Sequence, residues 1–427
     1  MQLKNYLSLL KRSPHTPFLI IGIIIFLTNL NLFQSYFQGD DWYFNRILIP
    51  FSHNPLEIIK GTYLSTFGGL LSTHHLTPLE MMLWLTLLAI FKLNYFPYIL
   101  ISLLWHIFNT ILLGLTIKRL LPKQSVIAYA VALFFGLSFS NHEGYAWPLA
   151  FVFVVPMVTA CLAAINTIIN YLQKPAKKHL FWLIIWLSTA VLFKETAIML
   201  TPVLLLFCWY HRQKLSIALP LTITAFTAIY IIFRILTPLM IDYEGNYNSQ
   251  PYSLGSPQLI TYRVITYPIK ALIQPYAPII PIRWLAEEIT PLAYPHYGTE
   301  KEVRGINFLT FTQTAGIDLI LFPIGSIMIL ILGILIYYYR RQKPHQQLLI
   351  MGIILAIGTT LPLLAIASSV PWAAYVSFID SRNLYLTNIG NAIIFALLIN
   401  FLGNLFRRQG SQIFQSLIDL LIEGELF

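Results

Sequence analysis

The chain has 427 residues, 57% of them hydrophobic and only 10% charged, with 27 Lys and Arg against 17 Asp and Glu. Mean hydropathy is +0.69. Because a soluble domain carries about 25% charged residues, a soluble globular fold, a disordered chain, a collagen and a disulfide scaffold are excluded, and an all-α polytopic membrane protein is expected.

In chain order, the basic residues Lys4, Lys11 and Arg12 precede a first apolar run at 17–36. No small-residue cleavage site follows it, so it is read as a retained anchor helix. An outer segment, 37–95, opens with Gly39-Asp40-Asp41-Trp42 and contains His74-His75 and the apolar stretch 76–92. Further runs long enough for about 30 Å of hydrocarbon lie at 96–117, 125–141 and 147–171, with Asn141-His142-Glu143 and Trp147 joining the last two. The stretch 179–210 places Lys194 and Glu195 at its centre. Charge there is costly within a bilayer, so two short spans joined by a Lys-Glu turn are expected. A run at 215–238 carries Arg234 near its outer end, and a second outer segment, 239–315, is rich in Pro and Tyr and reads as an ordered loop. The runs 316–338, 347–368 and 386–406 complete ten spans, with Asp380 and Ser381-Arg382-Asn383-Leu384-Tyr385 before the last. The domain plan is a multi-span body over 1–406 and a short amphipathic cytoplasmic tail over 407–427.

Ten spans put both termini and every second loop in the cytoplasm, with 16 of the 27 basic residues in short inner segments and 14 of the 17 acids outside. Counting 76–92 as a span, or merging 179–210, would reverse every basic cluster downstream of it. The stretch 76–92 is therefore expected to lie along, or dip into, the outer face of the membrane. The basic excess is explained by orientation, so no nucleic-acid partner is expected. Cys161 and Cys208 both lie in apolar runs and indicate neither disulfide nor metal ligation.

Charged and histidine side chains gather at the outer ends of the expected spans. Adjacent carboxylates such as Asp40 and Asp41 repel and tend to need a counter-charge, a metal or a substrate, although a solvated turn would also display them. His142-Glu143 could simply cap a hairpin, and Lys194-Glu195 could be an ion pair that lets two helices turn. Arg382 lies outside against the positive-inside trend and has the geometry to grip phosphate, or to pair with Asp380. A transporter would hold ionisable groups near the midplane, and these spans are almost clean, Arg234 being the main exception.

The order of these clusters resembles the polytopic GT-C glycosyltransferases, in particular the branch of bacterial and eukaryotic O-mannosyltransferase-like proteins, some of which carry tetratricopeptide repeats. The residues carrying the resemblance are Asp40-Asp41, Thr77-Pro78-Leu79, Lys118-Arg119-Leu120 with His106 and Asn109 before it, His142-Glu143 with Trp147, Lys194-Glu195-Thr196-Ala197, and Arg382 with Leu384-Tyr385-Leu386. It covers roughly 15–405. Two departures are His75-Leu76-Thr77 where relatives often have Tyr-Arg-Pro, and Thr387-Asn388 where many have proline.

The resemblance implies transfer of a sugar from a polyprenyl-phosphate carrier to a protein, lipid or glycan acceptor on the extracytoplasmic side of the plasma (inner) membrane. Asp40 is the expected base, with Asp41 positioning it; the reverse assignment is the alternative. Arg382 and Lys194 would take the phosphate, with His142, Glu143, Glu195 and Tyr385 completing the donor site. A nucleotide sugar is not required, and no cofactor is assigned; a divalent metal is permitted by the two aspartates. A lipid-linked sugar polymerase or ligase, a flippase for lipid-linked sugars and a non-catalytic scaffold are the competing readings.

Overall fold

The structure, a computed structural model, describes residues 16–68, 70, 76–240, 257–276, 316–360 and 381–409. His74, His75, Asp380, residues 361–368 of the ninth expected span, most of 239–315 and the tail beyond 409 lie outside the described residues. Among the described residues every regular element is helical. In chain order these are α1 (Thr16–Thr28), α2 (Gly39–Leu48), α3 (Pro55–Phe67), α4 (Pro78–Phe91), α5 (Tyr95–Leu120), α6 (Ser125–Leu137), α7 (His142–Ala146) and α8 (Pro148–Gln173). They continue with α9 (Lys177–Phe193), α10 (Leu200–Tyr210), α11 (Ala218–Met240), α12 (Pro257–Ile273), α13 (Gly316–Tyr339), α14 (Lys343–Gly358), α15 (Ser381–Leu384) and α16 (Thr387–Gln409).

Every apolar run read as a span carries a helix. Among the described residues, four helical segments are long and apolar enough to cross a bilayer: Thr16–Gln34, Tyr95–Leu120, Pro148–Gln173 and Thr387–Phe406. A fifth is the pair Ser125–Leu137 and Phe139–Ala146, bent by 56°. Their length and composition suit an integral membrane protein. The break expected inside 179–210 is present: Lys194 is extended, with φ −157° and ψ 127°, between α9 and the 3-10 turn Glu195–Met199 that leads into α10.

The core is organised around α8. This helix is 26 residues long, about 39 Å at 1.5 Å per residue, and most of its circumference is buried. A helix apolar on all sides belongs inside a bundle, and α4, α5, α7 and α9 pack around it. Elsewhere glycines set how closely helices approach. A Cβ on Gly390 would lie 2.5 Å from the backbone nitrogen of Ala356 and would overlap the carbonyl oxygen of Gly352, so α16 and α14 touch backbone to backbone. Small residues are what permit such contact between apolar helices.

The stretch 76–92, expected to lie along or dip into the outer face of the membrane, forms α4, which buries Glu80, Met81, Trp84, Leu85 and Leu88 and packs against α3, α8 and α9. With 14 residues it spans about 21 Å, too short to cross. The second outer segment was read as a loop, yet α12 lies within it, packed on α13 and α14 and tied to α16 by Asn391, whose side-chain nitrogen donates to the Ala271 carbonyl at 2.8 Å. Pro268, inside α12, is the residue that hides the helix from a sequence reading, because proline usually ends one.

Candidate active site

Helix α8 starts with Trp147 at its N-cap and Pro148 in its first turn. Tryptophan has no oxygen to accept the first free amides of a helix, so those donors need a partner from elsewhere. Asp41 supplies it: its Oδ1 accepts from the Leu149 amide at 3.0 Å, while its Oδ2 accepts from the Gln38 amide at 2.9 Å. One carboxylate thereby closes the starts of α2 and α8. Asp41 is fully buried, and burial pushes its pKa up to about 6; the hydrogen bonds from Gln38, Leu149 and the Trp147 side chain oppose that rise, and the neighbouring Asp40 charge adds to it. Asp40, one residue earlier, is exposed.

One turn along α8 from Leu149 is Phe153, and the Lys194 ammonium sits 4.3 Å from the centre of its ring. One turn further, Met157 sulfur accepts from the Thr196 hydroxyl at 3.6 Å. Residues four apart lie on the same helix face, so Asp41, Lys194 and Thr196 meet α8 in successive turns. Lys194 is buried. Glu195 binds away from this row: its Oε1 accepts from the Leu76 amide at 3.0 Å and pairs with Arg234 at 3.1 Å. Arg234, the main charge within the expected spans, is therefore held by a carboxylate of the Lys-Glu break.

The other two motifs meet each other. Helix α15, which carries Arg382, packs against α7 and against the 3-10 turn Phe139–Asn141, and it also touches α8. Asn388 donates to Ser140 Oγ at 2.8 Å and to Asn141 Oδ1 at 2.5 Å. The Tyr385 ring occupies the space where a Cβ of Gly144 would sit, 2.8 Å from its Cδ2. Tyr385 is fully buried, with its hydroxyl 2.6 Å from His106 Nδ1. His106 Nε2 faces the Gly136 carbonyl at 3.1 Å, so Nε2 carries the proton and Nδ1 accepts from the phenol. The same imidazole stacks on Tyr145 at 4.2 Å, and the Tyr145 hydroxyl donates to Asn29 at 3.0 Å. Tyr385, expected in the donor site, has its hydroxyl bonded to His106 on α5 and its ring against Gly144 of α7. His142 is exposed, edge-on to Tyr145, and Glu143 is half-buried.

The neutral polar residues of this network, Asn29, His106, Ser140, Asn141 and Asn388, were not singled out as a network from the sequence. The available signal was amide, hydroxyl and imidazole groups inside apolar runs, which must find partners there. Among the described residues no group of three His, Cys, Asp or Glu side chains is placed to hold a metal ion. Asp40 and Asp41 do not fit a divalent cation as a pair, because each oxygen of Asp41 faces a backbone N–H at a helix start, where the field is positive. No protein-family model, curated protein or solved structure matches the chain.

Proposed function

We propose that the protein is a glycosyltransferase that moves a sugar from a polyprenyl-phosphate carrier to an acceptor on the extracytoplasmic face of the inner membrane. The observation supporting this reading is convergence: segments around residues 40, 142, 194 and 382, far apart in sequence, all pack on α8. The order of these motifs along the chain resembles the GT-C enzymes. In this reading the body over 1–406 crosses the membrane ten times, both termini are cytoplasmic, 407–427 forms a tail, and the cluster lies at headgroup depth.

The chemistry needs a base for the acceptor hydroxyl and cations for the departing phosphate. Asp40 is the base: it is exposed at the start of α2, whereas both oxygens of its neighbour are engaged by amides. Asp41 fixes where α2 begins and so where Asp40 points. Lys194 and Arg382 stabilise the lipid phosphate as the glycosidic bond breaks, an interaction that strengthens toward the transition state. Displacement by a single carboxylate base from the side opposite the phosphate inverts the anomeric centre. His142 and Glu143 flank the entry.

The test is to supply purified protein in lipid nanodiscs with a panel of radiolabelled polyprenyl-phosphate sugars and candidate acceptors. Label should move from lipid to acceptor for one donor and not with Asp40→Asn protein. Movement of intact lipid-sugar between leaflets of vesicles, with no transfer, would replace this reading with that of a flippase. Growth of a lipid-linked chain would replace it with that of a polymerase.

A further inference from the structure

Helix α3 is built inside out for a protein in water. It turns Leu56, Ile59 and Tyr63 outward, at 77%, 64% and 61% exposure, and buries Ser65 and Thr66. Burying hydroxyls while exposing aliphatic side chains costs free energy on both faces in water. The buried face is the one turned to α4: a Cβ on Gly61 would meet Phe51 and lie 3.0 Å from Leu85, and Ser65 lies one turn further along the same face. Among the described residues, neither the Ser65 nor the Thr66 hydroxyl has a hydrogen-bond partner, and the same holds for the Trp84 indole nitrogen on α4 and for both polar atoms of Asn45 on α2. All four residues are buried, Asn45 and Trp84 completely. Asn45 lies one turn from Asp41 on α2. Trp84 reaches the same neighbourhood through Tyr98, whose ring is 5.6 Å from the Trp84 ring and 5.2 Å from that of Phe37, just before α2.

Native proteins leave few buried polar side chains without partners, and each such group costs about 1–3 kcal/mol. Four such residues on α2, α3 and α4, helices that all touch the turn Ile49–Phe51, with Asn45 one turn from Asp41, call for an explanation. Building on the function proposed above, we infer that Asn45, Ser65, Thr66 and Trp84 form the subsite that reads the hydroxyl groups of the transferred sugar. The donor types match. A carboxamide gives two donors and an acceptor, each side-chain hydroxyl both donates and accepts, and the indole donates once. Adjacent sugar hydroxyls need that mixture, while a phosphate would need cations and a lipid chain would need apolar walls. The outward stripe of Leu56, Ile59 and Tyr63 suits hydrocarbon, so α3 separates the lipid phase from a polar interior.

The experiment measures binding by wild type, Asn45→Ala, Ser65→Ala and Thr66→Val, with melting temperature recorded for each. Probes are short-chain polyprenyl-phosphate mannose, polyprenyl-phosphate glucose, bare polyprenyl phosphate and free monosaccharides. Wild type should bind one sugar-bearing lipid more tightly than the bare lipid phosphate. Each variant should lose about 10-fold of that advantage, as expected for a lost hydrogen bond that leaves its ligand partner unpaired, while binding of bare polyprenyl phosphate stays unchanged. Thr66→Val is nearly isosteric and keeps the fold testable should Asn45→Ala not fold. If the advantage of the sugar-bearing lipid is equal in wild type and the folded variants, the subsite is overturned, and the groups are solvated by internal water alone; label transfer by the wild type would then still support the transferase reading. If no label is transferred but sugar-dependent binding is lost in the variants, the subsite stands and the transferase reading falls. If wild type shows no preference for any sugar-bearing probe, the subsite is overturned outright.

Discussion

An aspartate whose two oxygens are both engaged by backbone amides at two helix starts has no oxygen left to face an acceptor hydroxyl, which leaves its exposed neighbour Asp40 as the base. Asp40→Asn should therefore lower turnover by roughly 10²–10⁴-fold, with donor affinity and melting temperature close to wild type; steady-state kinetics beside a donor-binding isotherm checks this. A severe Asp41→Asn beside a mild Asp40→Asn would exchange the two roles. The buried Asp41 also makes a prediction about pH. Its carboxyl is raised to about 6 in the folded protein from an ordinary value of 3.8, so the folded state holds this proton more tightly than the unfolded chain does. The resulting contribution, roughly 3 kcal/mol, is fully present below about pH 4 and is lost as pH rises through about 6. Melting temperatures in detergent from pH 4 to 7 should fall with that slope in wild type, and the slope should flatten in Asp41→Asn; parallel curves would show that burial of Asp41 does not govern it. The pair itself was legible in the sequence. Which member is buried was not, since that depends on the Leu149 amide, 108 residues away. Tyr385 shows the same limit: its partner His106 lies 279 positions earlier, and residue type alone cannot reveal that the phenol is already engaged.

At the scale of elements, apolar length located each helix expected to span, and the cost of buried charge located the break at Lys194. The helix α12 was harder to read, because an internal proline makes a helix mimic a loop. Contact between α14 and α16 depends on two glycines whose meaning appears only when the helices are paired. Gly390→Ala should cost about 1–3 kcal/mol, as overpacking does, because the atoms it would strike are backbone atoms of Gly352 and Ala356 and cannot rotate aside. Gly333→Ala, on α13 with nothing within 4 Å of the added carbon, should be neutral or stabilising by up to about 1 kcal/mol through helix propensity. Thermal unfolding of the two variants side by side is the measurement. Equal melting temperatures would mean that α14 and α16 do not meet in this way.

For the whole molecule, sidedness is the property on which the functional reading rests. The ten-span arrangement predicts that cysteine placed at Ser52 reacts with a membrane-impermeant thiol reagent from outside, and that cysteine at Gln173, at the far end of α8, does not. The native Cys161 and Cys208 are buried and should contribute little background. Labelling of Gln173→Cys from outside would put the cluster in the wrong compartment. The long reach of the site's bonds also sets an order for its making. Leu76 must wait for Glu195, which emerges 119 residues later, and Asn141 waits for Asn388, 247 residues later. During synthesis the early helices enter the bilayer with those groups unclasped, and α7 gains the Tyr385 ring that fills the space beside Gly144 only once the last membrane helix begins to insert. A chain cut before Tyr385 therefore lacks the residues that close the cluster, and under the function proposed above it should transfer no sugar.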